Sequence, residues 1–286
     1  MIFNGCGRME RKVRFSILVV TLNAGEKLIK TVKSALEQTY TDYEIVVKDG
    51  GSKDNSVYEL EVFLDKDPEY AKKVRVIRKK DTGIYEAMDQ ATLEAAGEYY
   101  YFLNCGDLFV DANVLEKIAQ GIDAAKEKGS EALIYYGDIY DALRGQTVAS
   151  NPHIDDFACY RNVPCHQACI YHYTLFLERG YEPKYRVRAD YEHFLWCYFK
   201  KNAKPEYVPV VIASYEGGGF SETKENRIRS AKEHKEITSM YMSKGQLLRY
   251  KAILFATLAP LRTKMAESPK WAGFYNKCKS LLYKKK

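Results

Sequence analysis

The chain has 286 residues, of which 46% are hydrophobic, so it is long enough for one large α/β domain with an appendage. Its net charge of +6 is unevenly distributed, because residues 222–286 carry 16 Lys and Arg against 5 Asp and Glu, a balance of +11. Residues 1–221 therefore carry −5, which argues against a nucleic-acid-binding protein with a basic face. The seven Cys are scattered and no secretory signal opens the chain, so we expect reduced thiols and a protein that faces the cytosol.

Strands and helices alternate regularly in the first part of the chain. Apolar runs predict strands at residues 14–20, 43–48, 74–78, 99–103 and 133–136. Apolar side chains at helical spacing predict helices at residues 26–38, 54–64, 83–96 and 114–125. This alternation predicts an α/β fold in which helices cover both faces of a mainly parallel sheet. Such sheets bind ligands beyond the carboxyl ends of their strands.

The segments that follow the predicted strands are all polar. They are Thr21-Leu22-Asn23, Asp49-Gly50-Gly51-Ser52, Lys79-Lys80-Asp81-Thr82-Gly83 and Asn104-Cys105-Gly106-Asp107. A dinucleotide-binding fold would show G-x-G-x-x-G after the first strand, and a P-loop enzyme would show G-x-x-x-x-G-K-[ST]. Neither pattern occurs, so oxidoreductases of the nicotinamide type and P-loop enzymes are disfavoured.

Three carboxylates, Asp49, Asp81 and Asp107, are predicted to end strands of the same sheet. They would repel one another and any bound diphosphate unless a cation offset their charge. Mg²⁺ and Mn²⁺ commonly take one or two carboxylates and complete their shells with substrate phosphates and water. We therefore expect a divalent cation, with Asp107 as its best-placed ligand.

The order and spacing of these motifs resemble the family 2 glycosyltransferases of bacterial polysaccharide assembly, over residues 15–221. The resemblance is carried by the first strand with its Thr21-Leu22-Asn23 end, by Lys48-Asp49-Gly50-Gly51-Ser52-Lys53-Asp54, by residues 81–89, and by residues 95–107. It implies a GT-A type fold, a Rossmann-like sheet with a helical C-terminal tail, and an inverting, metal-dependent transfer of a hexosyl-type group. The implied donor is a nucleotide-diphospho-sugar, with UDP as the expected carrier, and the implied acceptor is a glycan or a lipid-linked saccharide.

The resemblance also implies roles for individual residues. The positions that match the donor and metal motifs are Thr21, Asn23, Asp49, Gly51, Asp81, Asn104 and Asp107. Asp107 stands where the family has its metal-binding Asp-x-Asp motif, and Asn104 departs from that motif by replacing its first Asp. Whether Asn104 or His166 contributes to the metal site stays open.

A second segment, Arg188-Ala189-Asp190-Tyr191-Glu192, resembles the family segment that carries the catalytic base. We assign this role to Asp190 and keep Glu192 as the reserve candidate. A carboxylate in the first turn of a helix is favoured in its ionised form, which can accept a hydroxyl proton. Cys165-His166-Gln167 and Gly217-Gly218-Gly219-Phe220-Ser221 also resemble family loops.

The domain organisation that follows has three parts. Residues 1–13 are an N-terminal extension, and residues 14–221 are the glycosyltransferase domain, with a nucleotide-binding half at 14–110 and an acceptor-binding half at 111–221. Residues 222–286 form a basic helical tail, in which apolar and cationic side chains alternate between 247 and 264. The tail fits an anionic membrane surface, which predicts a cytoplasmic protein attached peripherally to the inner face of the membrane. Docking on the chain's own domain or on a partner in a homodimer fits the same pattern.

Simpler interpretations and rival functions accompany these assignments. Asp49 and Asp81 precede Gly and could be turn formers, and Asp107 and Asp190 could be acids at helix starts. Five nearby thiol and imidazole side chains invite a zinc site but lack a C-x-x-C pair: Cys159, Cys165, His166, Cys169 and His172. The rival functions are a catalytically inactive nucleotide-sugar binding protein and a sugar-phosphate nucleotidyltransferase.

Overall fold

The computed structural model describes residues 12–217, 223–257, 265, 268 and 271–284. Its strands are β1 (Val13–Thr21), β2 (Tyr43–Asp49), β3 (Val74–Arg78), β4 (Gly97–Phe102), β5 (Leu108–Phe109), β6 (Ile134–Asp141), β7 (Gln146–Val148), β8 (Cys169–His172) and β9 (Pro205–Tyr215). Its helices are α1 (Glu26–Leu36), α2 (Ser56–Leu64), α3 (Pro68–Lys73), α4 (Ile84–Glu94), α5 (Val114–Glu127), α6 (Asp156–Arg161), α7 (Ala189–Lys200), α8 (Lys224–Tyr241), α9 (Lys244–Ala256) and α10 (Ala272–Lys284).

The chain folds as two compact units, and the first comprises Met1–Ser130 and Cys169–Gly180. Its sheet has the strand order β3-β2-β1-β4-β8, in which β1 to β4 run parallel and β8 pairs antiparallel with β4. Strands β1, β2 and β4 are apolar and buried along most of their length, as expected when helices cover both faces of a sheet, whereas the edge strand β3 has no fully buried residue. The predicted α/β architecture is confirmed.

Helix α1 buries one face in the first unit, and that face is the predicted one. Leu28, Val32 and Ala35 are fully buried, which matches their spacing of three and four residues. In α4, Met88 and Ala91 are buried in the same way, whereas Ile84 is 38% exposed at the start of the helix. The helix starts only at Ile84, so this residue precedes the turns that cover the sheet.

The second unit comprises Glu131–Ala168 and Tyr181–Lys286. Strand β6 pairs antiparallel with β7 and parallel with β9, with register shifts near Gly137. A Cβ atom at Gly137 would lie 2.3 Å from the Val210 carbonyl oxygen, so only glycine fits at this irregularity. Helix α7 is buried over most of its circumference, as is typical of a core helix.

The described part of the tail is helical and partly packed. Helix α9 begins with a capping box formed by Ser243 and Gln246, and its Tyr250 packs on the rings of Phe157 and Tyr160. In α10 the Lys279 ammonium donates to the Ala149 carbonyl oxygen at 2.5 Å. Among the described residues, no helix has both the length and the apolar character needed to cross a bilayer.

The predicted helices and strands of the first 140 residues are present, with ends shifted by a few residues. No bounds were predicted for the strands β5, β7, β8 and β9 or for the short helices α3 and α6. The first compact unit extends to Ser130, whereas the predicted nucleotide-binding half ends at residue 110, and the functional division stays a prediction. Residues 1–11, 218–222 and 258–264, which include most of the N-terminal extension and of the glycine-rich loop, lie outside the described residues.

Candidate functional site

The turn after β2 is built around the carboxylate of Asp49. This carboxylate is buried and accepts hydrogen bonds from the Ser52 hydroxyl at 2.6 Å and the Ser52 backbone N–H at 3.0 Å. Between them Gly51 adopts a φ of +96°, a left-handed conformation that favours glycine. Asp49 is therefore an acceptor with a fixed direction at the end of its strand.

The turn after β1 is tied to this turn. Thr21 lies opposite Asp49 in the register of the two parallel strands. Asn23 donates its backbone N–H to the Ser52 hydroxyl at 2.8 Å, and its side-chain oxygen accepts the Lys53 N–H at 2.7 Å. The predicted residues at the ends of β1 and β2 thus form one continuous polar edge.

Asp81, which follows β3, reaches the same edge. Its carboxylate forms an ion pair with Lys48, whose side chain is completely buried, and accepts the Gly83 N–H at 3.1 Å. A Cβ atom at Gly50 would lie 2.7 Å from an Asp81 carboxylate oxygen, so glycine at 50 allows the two turns to meet. Because a buried ammonium needs a compensating charge, the pair fixes both side chains.

The loop after β4 holds Asn104 and Asp107. The Asp107 N–H donates to the Asn104 carbonyl oxygen at 2.9 Å, and Gly106 takes a φ of +109°. Thr31 of α1, which is fully buried, accepts the Gly106 N–H at 3.0 Å and donates to the Asp107 carbonyl oxygen at 2.9 Å. One hydroxyl therefore fastens this loop to α1.

The donor atoms of this loop fit a hard divalent cation. The side-chain oxygen of Asn104 is buried without a hydrogen-bond partner, and the Asp107 residue is 4% exposed. Over the described ranges, no group of three or more His, Cys, Asp and Glu side chains could hold a metal ion. A cation at Asp107 would therefore need the Asn104 oxygen, substrate phosphates or water to complete its shell.

Cys105, between these two residues in the chain, is a free and half-buried cysteine. Burial raises the pKa of the Cys105 thiol to about 11, and the neighbouring Thr21 and Thr31 hydroxyls act in the opposite direction. Without a bound metal ion, the thiol is therefore neutral near pH 7.

The predicted base segment belongs to the second unit. Asp190 lies in the first turn of α7 and is half-buried. Burial lowers the pKa of His166 below its usual range, while the nearby Asp190 carboxylate acts in the opposite direction. A neutral imidazole thus lies within electrostatic reach of Asp190.

Glu192, the reserve candidate, is in a different environment. It is 1% exposed, and the Tyr241 hydroxyl donates a hydrogen bond to its carboxylate. Its carboxylate is thus engaged inside the second unit, whereas Asp190 keeps part of its surface accessible.

The structure places the seven predicted donor and metal residues in the first unit and Asp190 in the second. Three contributing residues were missed by the sequence analysis: Lys48, Thr31 and Gly50 in its role as a spacer. For Lys48 a signal exists, because a lone cation in the apolar run Tyr43–Asp49 predicts a buried partner.

Comparisons with known proteins agree with this picture. A family model described as Glycosyl transferase family 2 matches residues 16–180. A PGL/p-HBAD biosynthesis glycosyltransferase of Mycobacterium bovis is 32% identical over 211 residues, which cover 73% of this chain and 79% of that protein.

Two solved structures are similar in fold. Staphylococcus aureus TarS 1-349 in complex with UDP gives a TM-score of 0.61 at 16% identity. The match covers 80% of this chain and 65% of the TarS chain, which is less than two thirds. The mannosyltransferase PcManGT of Pyrobaculum calidifontis, in complex with GDP-Man and Mn²⁺, gives 0.61 at 15% identity, covering 96% of this chain and 83% of that one. The matched family range contains all seven donor and metal residues and ends before Asp190.

Proposed function

The chain belongs to glycosyl transferase family 2, and from this membership we propose that it transfers a sugar from a nucleotide-diphospho-sugar to a hydroxyl group of a glycan or lipid-linked acceptor, with inversion at the anomeric carbon. The observation that supports this best is the meeting of two turns in the first unit, where Gly50 leaves room for the Asp81 carboxylate beside the Asp49 turn. Ligands bind at such carboxyl edges of parallel sheets.

The nucleoside would bind at this edge. Asp49 and Asp81 present fixed carboxylate oxygens, which accept hydrogen bonds from ribose hydroxyls or from N–H groups of a base. Thr21, Asn23 and Gly51 would line the same edge. We propose UDP as the carrier, because TarS 1-349 was solved with UDP. PcManGT was solved with GDP-Man, so a GDP-linked sugar is the donor against which UDP-sugars are compared.

A divalent cation, Mn²⁺ or Mg²⁺, would be held by Asp107 with the Asn104 side-chain oxygen beside it. The Mn²⁺ in the PcManGT complex supports this choice of ion. When bound, such a cation offsets the negative charge that develops on a leaving diphosphate. Thr31 of α1 would keep Asp107 in place for this role, because its hydroxyl accepts the Gly106 N–H and donates to the Asp107 carbonyl oxygen.

Asp190 would act as the general base. It would take the proton of the acceptor hydroxyl while that oxygen forms a bond to the anomeric carbon and the bond to the nucleoside diphosphate breaks. A single displacement of this kind inverts the anomeric centre. The accessible surface of Asp190, compared with the engaged carboxylate of Glu192, supports the choice.

Peripheral attachment to an anionic membrane surface completes the proposal, because lipid-linked acceptors reside there. The +11 charge of residues 222–286 supports it, as do the exposed side chains of Leu248 and Phe255 on α9. Such a protein would work at the cytoplasmic face of the membrane.

The test is a thermal-shift panel with UDP-glucose, UDP-N-acetylglucosamine, GDP-mannose and dTDP-glucose, each with Mn²⁺ or with EDTA. A donor at 100 times its dissociation constant stabilises the folded state by about 2.7 kcal/mol, which raises Tm by several degrees. We expect the largest shift for a UDP-sugar and its loss in EDTA.

Turnover is then measured as release of the nucleoside diphosphate from the selected donor, and the product is analysed by NMR for its anomeric configuration. Opposite configurations in donor and product are expected. Binding without turnover under any acceptor condition would instead favour an inactive binding protein, and a product of retained configuration would contradict the single displacement.

A further inference from the structure

The backbone that leads into α7 is held by a carboxylate from α8. Oε2 of Glu233 accepts the backbone N–H groups of Val187 at 3.0 Å and Arg188 at 2.9 Å, and Oε1 accepts that of Arg186 at 3.1 Å. Glu233 is 7% exposed. Three consecutive backbone donors thus converge on one buried side chain of the second unit.

These hydrogen bonds hold the three residues that precede α7, which has no side-chain cap of its own. The residue before α7 is Arg188, which makes no capping hydrogen bond with its side chain. Three other helices of the second unit do have such a cap, because Asp155 before α6, Thr223 before α8 and Ser243 before α9 each accept a hydrogen bond from their own helix. The start of α7 therefore depends on a residue distant in the sequence for its fixed position.

A second contact from the same face of α8 supports the first. Ser230, three residues before Glu233, accepts the Arg188 Nε–H at 2.7 Å. The Arg188 guanidinium also lies 5.3 Å from the centre of the Tyr191 ring. The residues around Asp190 are thus held by α8 through both backbone and side chain.

We propose that Glu233 is a positioning residue that fixes the segment 186–188 and thereby the direction in which α7 presents Asp190. This inference rests on the proposed function, because it takes Asp190 as the general base. A displacement of about 1 Å in a reacting group can cost a hundredfold in rate. Loss of Glu233 would also leave three backbone donors in a buried region without an acceptor, which favours rearrangement of the segment.

The experiment compares Glu233→Ala with Glu233→Gln in the full chain. Turnover is release of UDP from the UDP-sugar that the panel selects, and exchange of the amides of residues 186–188 is followed by NMR or mass spectrometry. For Glu233→Ala we expect kcat at least tenfold lower, KM for the donor within twofold, and amide exchange at least tenfold faster.

Glu233→Gln provides a graded rescue. Its amide oxygen can take the place of Oε2 and keep two of the three hydrogen bonds, while its NH₂ group faces the Arg186 N–H. We therefore expect kcat and amide exchange between those of wild type and Glu233→Ala. If Glu233→Ala fails to fold, the Gln variant decides, since wild-type kcat together with wild-type exchange would overturn the inference.

Glu236→Gln is the matched control. Glu236 lies on the same helix, but it pairs with the side chains of Lys184 at 2.9 Å and Tyr185 at 3.1 Å and with no backbone donor of the segment 186–188. Its substitution should leave kcat within twofold. Equal losses of kcat in Glu236→Gln and Glu233→Ala would mean that the effect is a general loss of charge on α8, and the inference would fall.

Asp190→Asn, measured in parallel, distinguishes a failure of the positioning role of Glu233 from a failure of the assignment of Asp190 as the base. An inactive Asp190→Asn beside a fully active, folded Glu233→Ala would overturn only the positioning role. An active Asp190→Asn would overturn the assignment of the base, on which this inference rests, whatever the Glu233 variants do.

Discussion

At the scale of single residues, three carboxylates of the first unit have different surroundings. Asp49 is oriented by Ser52, Asp81 is neutralised by Lys48, and Asp107 belongs to the loop in which the side-chain oxygen of Asn104 is buried without a hydrogen-bond partner. A diphosphate placed near them would meet the negative charge of these carboxylates, which Lys48 offsets at Asp81. This charge is the physical reason to expect a divalent cation at Asp107.

Asp107→Ala should therefore abolish metal-dependent nucleotide binding. We expect the affinity for UDP in the presence of Mn²⁺ to fall at least tenfold and to become insensitive to EDTA, as measured by calorimetric titration. Asp111→Asn is the control, because Asp111 is an exposed acid paired with Lys117 at 2.9 Å. Unchanged metal-dependent affinity in Asp107→Ala would refute the assignment.

Asp190→Asn should separate catalysis from binding. An amide cannot accept the hydroxyl proton, so turnover should fall by about 10²-fold or more while the affinities for donor and metal stay unchanged. Glu192→Gln is the internal comparison, since it lies about 200° around the helix and its amide oxygen can still accept from Tyr241. An active Asp190→Asn beside an inactive Glu192→Gln would reverse the two roles.

Two histidines of the second unit predict a pH dependence of stability. Burial lowers the pKa of both His166 and His234, and Arg188 acts in the same direction on His234. The unfolded chain binds protons at these positions below about pH 6.5, whereas the folded chain binds them only at a lower pH. The free energy of unfolding should therefore decrease as the pH falls from 7.5 to 5.5, by at most about 1.4 kcal/mol per pH unit for each histidine.

This dependence is measured by urea unfolding at several pH values. In His234→Gln the decrease should be smaller, because one of the two titrating groups is gone while the amide can still donate to the Tyr160 carbonyl oxygen that His234 contacts at 2.8 Å. A free energy of unfolding that stays constant over this pH range would show that the imidazoles are not held neutral.

At the scale of elements, the parallel strands were predictable and several short elements were not. Strands β1 and β2 are covered on both faces, so they read as continuous apolar runs. Strand β8 has four residues and α6 has six, which is too short for a periodic pattern to be distinguished from a loop. Sequence periodicity therefore predicts the parallel sheet of the first unit better than the connections that complete each unit.

The same distinction applies to the candidate site. The predicted carboxylates end strands and stand within recognisable motifs, which made them visible in the sequence. Thr31 and Glu233 act on backbone groups that are 75 and 45 residues away in the chain, at Gly106 and Arg188. No local pattern marks such a contact, because one buried hydroxyl or carboxylate on a helix gives no sign of its distant partner.

Thr31→Val tests the contact between α1 and the loop that holds Asp107. Valine has the same shape but neither donates to the Asp107 carbonyl oxygen nor accepts the Gly106 N–H. Leaving these buried groups unsatisfied should cost about 1–3 kcal/mol of stability and weaken UDP binding with Mn²⁺. Thr31→Ser, which keeps the hydroxyl, should restore most of the binding.

Calorimetry with UDP and Mn²⁺ and urea unfolding measure the two effects of these Thr31 variants. Wild-type affinity in a destabilised Thr31→Val protein would show that the hydroxyl serves only the fold.

At the scale of the whole molecule, charge and apolar surface coincide in the tail. Helix α9 buries Tyr250 in the second unit, yet Leu248 is 72% exposed and Phe255 is 84% exposed. Together with Lys251, these two side chains lie on one face of the helix, at spacings of three, four and seven residues. A face that is both apolar and cationic fits an anionic bilayer surface, while Tyr250 shows that α9 must also stay docked on its own unit.

The membrane proposal is therefore tested by substitution rather than by truncation, which would remove the packed Tyr250. We expect the double variant Leu248→Ser, Phe255→Ser to lower binding to vesicles of anionic and zwitterionic phospholipid at least tenfold at low salt, since each apolar side chain contributes about 1.5–3 kcal/mol when buried. Binding of the wild type should also weaken at high salt, because the cationic contribution is screened. Tyr58→Ser is the control, as Tyr58 is a 66% exposed aromatic residue on α2, which is not part of the basic segment 222–286. Sedimentation with the vesicles measures all three proteins. Equal partitioning of the double variant and the wild type would mean that this face of α9 does not meet the membrane.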